Sequence, residues 1–524
     1  MGRMSGFCTN QKNRMRLRRC IVGGGCVGLL LVGLGTGCGT FSDYPTGMNQ
    51  VVLAPMDGGG HLASATKELQ GRIEGRDEVL FALEAGRVAQ LQRDYEGSRA
   101  AFDKAIRRTE AQGDEGVLDI GGAADQAAAV LVNDKAIEYR APAYERTMLH
   151  HYQALNYLAE NKLVDAGVEV RLANQVQEAE RKRHAAAEDK ATAKAQSAEK
   201  KAADQAAKKK QTDDEKEAQA ESNAAMRKMY AGLNEVAGGV KTAYQNAATF
   251  VVSAVIWEML GERNDAYIDY KKALEMVPEH VALQRAVFRL GLRLGMREDL
   301  RDLARRFPAR VQTAADGSTA YRGMGHLVVL LEEDHVAQKQ SLAIPYPISG
   351  ALGMINLPIY AGIPTPPGRV RLVVRGGKGN SAATVEDTLM PLCRLSALAS
   401  RALLEKMPGI VTRQVARAVA KGGATAALSN AADQQGAGLG ALVELTMSIY
   451  NLASEQADLR SWLTLPDHIQ MADVWAPAGD AKVELRWAGG GTFEQQVPLK
   501  EGRITLLYVT RANWTFYFHP FVQP

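Results

Sequence analysis

The chain has 524 residues, of which 46% are hydrophobic and 23% charged, values typical of a globular protein. Its length allows two or three domains, each with a core of its own. The net charge of +4 is small for this length and excludes a strongly basic or acidic protein. We therefore predict no nucleic-acid partner.

The N-terminus has the pattern of a secretory signal. Four arginines between positions 14 and 19 precede an apolar, glycine-rich run at 21–34, which is short for a membrane span. The following residues, LGTGC, resemble the lipobox of bacterial lipoproteins. The resemblance implies cleavage after residue 37, a diacylglycerol anchor on Cys38 and, because Gly39 follows, the periplasmic face of the outer membrane. An uncleaved membrane anchor is the alternative.

Residues 38–70 are predicted to be a tether. Pro45, Pro55 and three consecutive glycines at 58–60 interrupt regular structure.

The sharpest internal signal is a helical hairpin at 250–278. Small residues are spaced so that two helices can approach closely, and larger aromatic residues fill the space beside them. This spacing resembles a tetratricopeptide (TPR) repeat. The residues that carry the resemblance are Ala254, Trp257, Ala266, Tyr270, Ala273 and Pro278.

The same template recurs twice in the N-terminal half. It begins at Gly86 and again at Ala154, 68 residues later, which is twice the TPR period of about 34. A degenerate repeat is expected between them. We therefore predict a TPR-like α-solenoid over residues 71–316.

A lysine-, alanine- and glutamate-rich insertion interrupts the repeats at 177–227. It is rich in helix formers and has almost no large apolar residue, so it cannot bury a core by itself. We predict a solvated helical or coiled-coil arm. Partial disorder and the oligomeric state of the protein are left open.

Residues 317–524 are predicted to form an antiparallel, sandwich-like β-rich domain with a helical insertion at 386–457. Eight short β-type segments are separated by Pro, Gly and the helical interlude. Glu332 and Glu333 follow the first of these segments and are expected in a solvated turn. The segments are 326–331, 340–344, 354–360, 369–375 and, after the interlude, HIQMADVW, DAKVELRW, RITLLYVT and WTFYF. The predicted fold class is thus α+β.

No catalytic signature is present. The nine histidines are scattered, and the adjacent pair His150 and His151 points in directions about 100° apart on a helix, which does not suit a two-ligand metal site. We therefore predict no catalytic residue, no metal and no cofactor.

Two sets of residues are candidates for other roles. If the repeats bind a partner, the first helix of each hairpin lines the groove. Residues assigned there are Arg87, Gln90, His151 and Glu258. Residues expected to cap helices or to form structural ion pairs are Asn133, Asp134, Tyr144, Arg146, Asp458, Arg460 and Trp462.

Together, the lipobox, the repeats and the β-rich end resemble a family of bacterial lipoproteins with TPR repeats. Four stretches carry this resemblance: 83–105, 130–158, 326–360 and 455–474. The resemblance implies a lipid-anchored adaptor that binds protein partners in the cell envelope. Two alternatives stay open: an accessory protein or enzyme of peptidoglycan metabolism, and a polysaccharide or lipid carrier with a deep cavity beside the helices of 386–457.

Overall fold

The computed structural model shows a mixed α+β protein, with most helices in the N-terminal half and the strands in the C-terminal part. The described residues belong to one compact unit. Cys38, Asn133 and the predicted signal peptide lie outside them. The described residues are 44–60, 62–118, 134, 137–206, 213–240, 242–308, 311, 321–348, 351–362, 365–377, 383–433 and 457–524.

In the N-terminal half, consecutive helices pack against each other in pairs. One further long helix, Leu395–Asp433, lies between two strands in the sequence. A π-helical turn at Asn49–Leu53 joins the first two helices. The helices are α1 (Tyr44–Met48), α2 (Ala54–Asp57), α3 (Ala63–Gln70), α4 (Glu78–Leu91), α5 (Tyr95–Leu118), α6 (Ala143–Ala159), α7 (Leu163–Ala206), α8 (Asp213–Ala237), α9 (Ala247–Leu260), α10 (Arg263–Met276), α11 (Val281–Leu294), α12 (Arg297–Arg306) and α13 (Leu395–Asp433).

The strands form three sheets. A five-stranded sheet has the order β11-β10-β1-β7-β6, a four-stranded sheet has the order β5-β4-β8-β9, and β2 and β3 form a hairpin. The strands are β1 (Met324–Glu333), β2 (Lys339–Ile348), β3 (Ala351–Tyr360), β4 (Val370–Gly376), β5 (Ala383–Thr388), β6 (Met390–Arg394), β7 (His468–Pro477), β8 (Gly479–Trp487), β9 (Thr492–Leu499), β10 (Ile504–Ala512) and β11 (Thr515–Val522).

The five-stranded sheet separates two cores, because side chains alternate between its faces. On β1, Val328 and Leu330 belong to the core shared with the helices. Leu327, Val329 and Leu331 face the four-stranded sheet instead. The molecule therefore has a layer of helices, a central sheet and an outer sheet.

All eight predicted β-type segments lie in strands of the structure, to within one residue at their ends. The prediction that these strands pair only in antiparallel orientation is wrong for one pair. β1 pairs with β10 in parallel and with β7 in antiparallel orientation, so the central sheet is mixed. Residues 383–394, which overlap the start of the predicted helical insertion, form β5 and β6. β5 is polar and mostly exposed, and β6 is a short, mostly apolar segment that runs directly into α13 at Leu395, so neither shows a clear period-2 pattern.

The predicted tether is wrong for residues 44–70. They form α1, the π turn, α2 and α3, and their apolar residues are buried. Met48, Val52 and Leu69 are each 0% exposed in the core shared with α4 and the sheet. Each buried apolar side chain stabilises the fold by about 1.5–3 kcal/mol. The sum of these contributions outweighs the helix-breaking tendency of the prolines and glycines.

The helix that carries the end of the charged insertion is packed beyond residue 227. α8 lies against α13 and the β2–β3 hairpin, with Met229, Leu233 and Val236 buried between them. The preceding helix α7 continues for 44 residues, about 66 Å at 1.5 Å per residue. None of the helices in the part of the chain that the structure describes is long and apolar enough to cross a membrane.

Candidate functional site

A cavity of about 470 Å³ lies where the irregular segment before α6, the β2–β3 hairpin, α13 and the loop before β7 meet. We call it the junction cavity. Its volume is within the range of about 300–1,000 Å³ typical of small-molecule sites. The side chains discussed below are contributed by Asp134, residues 137–144, Lys339, Tyr360, residues 399–413 and residues 458–460.

Ion pairs fix one wall of the junction cavity to α13. Asp134 accepts a hydrogen bond from Arg417 at 2.9 Å and contacts Arg413 at 3.5 Å. Both arginines lie on α13, four residues apart and thus on one helix face. Because the Arg417 side chain is 1% exposed, this pair fastens the segment before α6 to α13.

A second set of ion pairs fixes the opposite wall. Arg460 binds Asp458 through two hydrogen bonds of 2.8 Å, pairs with Asp77, and donates to the carbonyl of Ile137 at 3.0 Å. The pKa of Asp458 is lowered because the hydrogen bonds and charge of Arg460 outweigh burial. This loop is therefore held as a rigid rim rather than as a mobile connection.

Two lysines face the junction cavity without a carboxylate partner among the described residues. Lys339 donates one hydrogen bond, at 2.7 Å, to the carbonyl of Arg460. Burial lowers the pKa of Lys339, and the charges of Asp458 and Glu145 offset this only in part. The pKa of Lys406 on α13 is lowered by desolvation and then by the positive charge of Lys339. The two ammonium groups thus repel each other across the same space.

Aromatic side chains form the floor of the junction cavity. Tyr139 and Tyr144 donate hydrogen bonds to the buried carboxylate of Glu145 at 2.6 and 3.0 Å. The same carboxylate accepts a third hydrogen bond, at 3.1 Å, from the backbone N–H of Trp462. Desolvation raises the pKa of Glu145 above its usual value. Tyr360, at the end of β3, completes the aromatic lining.

The predicted groove residues lie elsewhere and are buried. Arg87 and His151 are 2% and 0% exposed, and Gln90 is 8% exposed. Arg87 pairs with Glu332 of β1, and Gln90 donates to Asn156 at 2.7 Å. The prediction that these side chains line an exposed groove is wrong, because the central sheet of the same chain covers this face of the helices.

Glu332 is the centre of this buried network. Besides Arg87, it accepts hydrogen bonds from Tyr152 at 2.6 Å, Tyr508 at 2.7 Å and Thr510 at 2.6 Å. His151 contacts the Tyr508 hydroxyl at 3.0 Å, and its burial lowers its pKa to about 4. The prediction of a solvated turn at Glu332 is therefore wrong.

The fourth predicted groove residue, Glu258, is also enclosed. Its side chain is 7% exposed and binds Arg289 of α11 through contacts of 2.6 and 2.8 Å. The charge of Arg289 holds the pKa of Glu258 below its usual value despite burial. The pair joins α9 to α11 and offers no free carboxylate to a partner.

Apart from Asn133, which lies outside the described residues, the residues predicted to be structural lie at contacts between elements. Asp134, Tyr144, Asp458 and Arg460 also line the junction cavity. Arg146 pairs with Glu180 of α7. Trp462 is 0% exposed.

Sequence reasoning missed Lys339, Lys406 and Glu332. A lysine in a β-type segment and another on a polar helix carry no distinguishing pattern. A signal for Glu332 was present in the sequence. If the strand at 326–331 is extended by one residue, its period of two places Glu332 on the same face as Val328 and Leu330.

The chain matches no family model, no curated protein and no solved structure at a significant level. Within the described residues, no group of three or more His, Cys, Asp or Glu side chains is placed to hold a metal ion.

Proposed function

We propose that the protein is a lipid-anchored adaptor on the periplasmic face of the outer membrane, without catalytic activity, that binds protein partners in the assembly or maintenance of the cell envelope. The lipobox-like LGTGC supports the anchor and the location. The observation that carries the binding role is the junction cavity, whose lysines have no carboxylate partner among the described residues.

We infer further that the paired helices are TPR-like repeats. The small and aromatic template residues of the hairpins are buried at helix contacts, which supports this assignment. Those that are 0% exposed include Phe102, Ala105, Ala154, Ala166, Val170, Ala173, Ala254, Ala266, Tyr270 and Ala273. In this chain the repeats serve as a frame for the central sheet, and the ligand site is at their edge.

The junction cavity is the better partner site because the helical face that lines the groove in other repeat proteins is filled here. Arg87 and His151 are committed to the central sheet. Lys406 and Gly409, by contrast, are exposed on α13 at the junction cavity. A segment of a partner can reach them without any rearrangement of the core.

A photo-crosslinking amino acid at position 409 tests the proposal in cells. We expect one or two envelope proteins to be captured, because this position lies at the rim of the junction cavity. The same amino acid at Trp514, which is 74% exposed on the β10–β11 turn, serves as the control surface. No capture from position 409, or the same proteins from both positions, contradicts the proposal. A Cys38→Ala variant should leave the membrane fraction.

One observation favours the lipid carrier as a second candidate. An apolar groove of about 380 Å³ lies between α8 and the β2–β3 hairpin, lined by Met229, Leu233, Leu342, Ile344 and Ile359 among others. Lipid that copurifies with the protein and is lost in a Leu233→Glu variant would favour this function over the adaptor.

A further inference from the structure

We propose that the junction cavity binds a carboxylate-bearing segment of an extended peptide, and that Lys339 and Lys406 neutralise its charge. This inference rests on the proposed adaptor function, since it names the chemistry of the partner segment.

Anions and cations do not balance around the junction cavity. Its lining carboxylates already have cationic partners: Asp134 pairs with Arg417 and Asp458 with Arg460. Glu138 likewise pairs with Arg108 at 2.6 Å, and Glu405 with Arg401 at 3.3 Å. The cations without a carboxylate partner among the described residues are Lys339, Lys406 and, at the exposed rim, Arg140. Glu145, beneath the tyrosines of the floor, has no cationic partner in the described part of the chain and is held by two hydroxyl groups and one backbone N–H. Among the side chains that line the junction cavity, the unpaired charge is therefore positive.

Two lysine ammonium groups close together in one cavity cost free energy. Like charges in one cavity destabilise each other, and partial desolvation adds to this cost. The lowered pKa values of Lys339 and Lys406 have these causes. A carboxylate bound between the two ammonium groups offsets their repulsion, because each then has an opposite charge beside it.

The cations of the junction cavity differ in the anion that they suit. Arginine binds phosphate through two parallel hydrogen bonds, but the guanidinium groups of Arg413 and Arg460 are already paired with Asp134 and Asp458. Among the described residues, the unpaired cations inside the wall are Lys339 and Lys406, which act as single point charges and suit a carboxylate, whereas the unpaired Arg140 lies at the exposed rim. The rest of the lining is aromatic and aliphatic, which suits the backbone and the aliphatic parts of peptide side chains. It is formed by Tyr139, Tyr144, Tyr360, Leu403 and Ile410.

The volume of the junction cavity limits the size of its ligand. A cavity of about 470 Å³ accommodates a few residues of extended chain and excludes a folded domain. The partner must therefore insert a terminus or a loop that carries Asp, Glu or a free carboxyl group.

The test is isothermal titration calorimetry of the full-length protein in detergent with tetraglutamate as the probe and tetraglutamine as its neutral match. We expect tetraglutamate to bind at least tenfold more tightly than tetraglutamine. Lys406→Met keeps the aliphatic stem and should weaken tetraglutamate binding about tenfold, the effect of one hydrogen bond to a charged group. Lys104→Met, at an exposed position of α5, should bind as the unmodified protein does.

Equal binding of the two peptides, or an unchanged affinity in Lys406→Met, would overturn the proposal. Binding of soluble peptidoglycan fragments without any binding of tetraglutamate would overturn it in favour of a glycan ligand. Lys339→Met also loses the hydrogen bond to Arg460, so the Lys406 variant is decisive. Tetraglutamate binding in a protein that captures no partner from position 409 would refute the adaptor function and leave the ligand class standing.

Discussion

At the scale of single residues, buried carboxylates hold the helical and β parts together. Glu84 of α4 accepts hydrogen bonds from the backbone N–H groups of Leu463 and Thr464 at 2.6 and 3.1 Å, and from the Tyr44 hydroxyl at 2.7 Å. Glu145 binds the N–H of Trp462 in the same way. A loop whose N–H groups have no strand partner is thus satisfied by side chains of the helices.

Glu84 makes stability depend on pH. Desolvation raises its pKa to about 7, above the value of about 4.3 in an unfolded chain. The folded state therefore binds the proton more tightly, and the stabilisation is fully present below about pH 4.3 and lost as the pH rises through 7. One carboxyl group with this shift contributes up to about 3–4 kcal/mol over that window.

We expect the free energy of unfolding of the unmodified protein, measured in urea, to fall between pH 4.5 and 7 relative to a Glu84→Gln variant, which has no titrating group there. Glu110→Gln, at an exposed position of α5, is the matched control and should follow the unmodified protein. Parallel pH profiles for the unmodified protein and Glu84→Gln would show that Glu84 is ionised throughout and that its hydrogen bonds outweigh its desolvation.

At the scale of elements, close approach of helices depends on residues without a side chain. Gly86 of α4 lies directly against the ring of Phe102 on α5, and a Cβ atom at this position would overlap the ring. Phe102 is 0% exposed and cannot move aside into solvent. The α4–α5 contact therefore has no room for even one methyl group.

Gly86→Ala should destabilise the protein by about 1–3 kcal/mol, because overpacking forces the helices apart. Gly113→Ala on α5 is the matched control: nothing lies within 4 Å of its added methyl, and alanine is the better helix former by about 1 kcal/mol. Urea unfolding of both variants measures the difference. Equal stability of the two variants would show that the Phe102 ring shifts without cost.

At the scale of the whole molecule, the helices and the central sheet share one core. Arg87 lies in the helical part and its partner Glu332 in the β part, 245 positions away. A buried charge that loses its partner costs about 3–5 kcal/mol. Neither part can therefore keep its native arrangement without the other.

We expect a fragment of residues 44–308 to lack a cooperative thermal transition when it is produced alone, and to regain one when it is produced together with residues 321–524. Circular dichroism of the isolated and coexpressed fragments checks this. A sharp transition and native helix content in the isolated fragment 44–308 would show that the helical part is an independent domain.

The sequence by itself determined the local features of this protein. Alternation in RITLLYVT predicted β10, and small residues at helical spacing, such as Ala254 and Ala266, predicted a hairpin. These predictions succeed because strand and helix periods are properties of a short stretch of chain. The strand β5 was missed because its residues are mostly polar, and β6 because its apolar residues run directly into α13.

Only the tertiary structure decided which polar residues are buried and which face a ligand. The repeat spacing assigned Arg87 and Gln90 of α4 and His151 of α6 to the inner side of the hairpins, yet it could not show that the central sheet of the same chain covers that side. The junction cavity likewise unites Lys339 and Lys406 from distant elements. Burial and pairing depend on contacts between segments far apart in sequence, and the spacing within one segment does not show which distant segment will cover it.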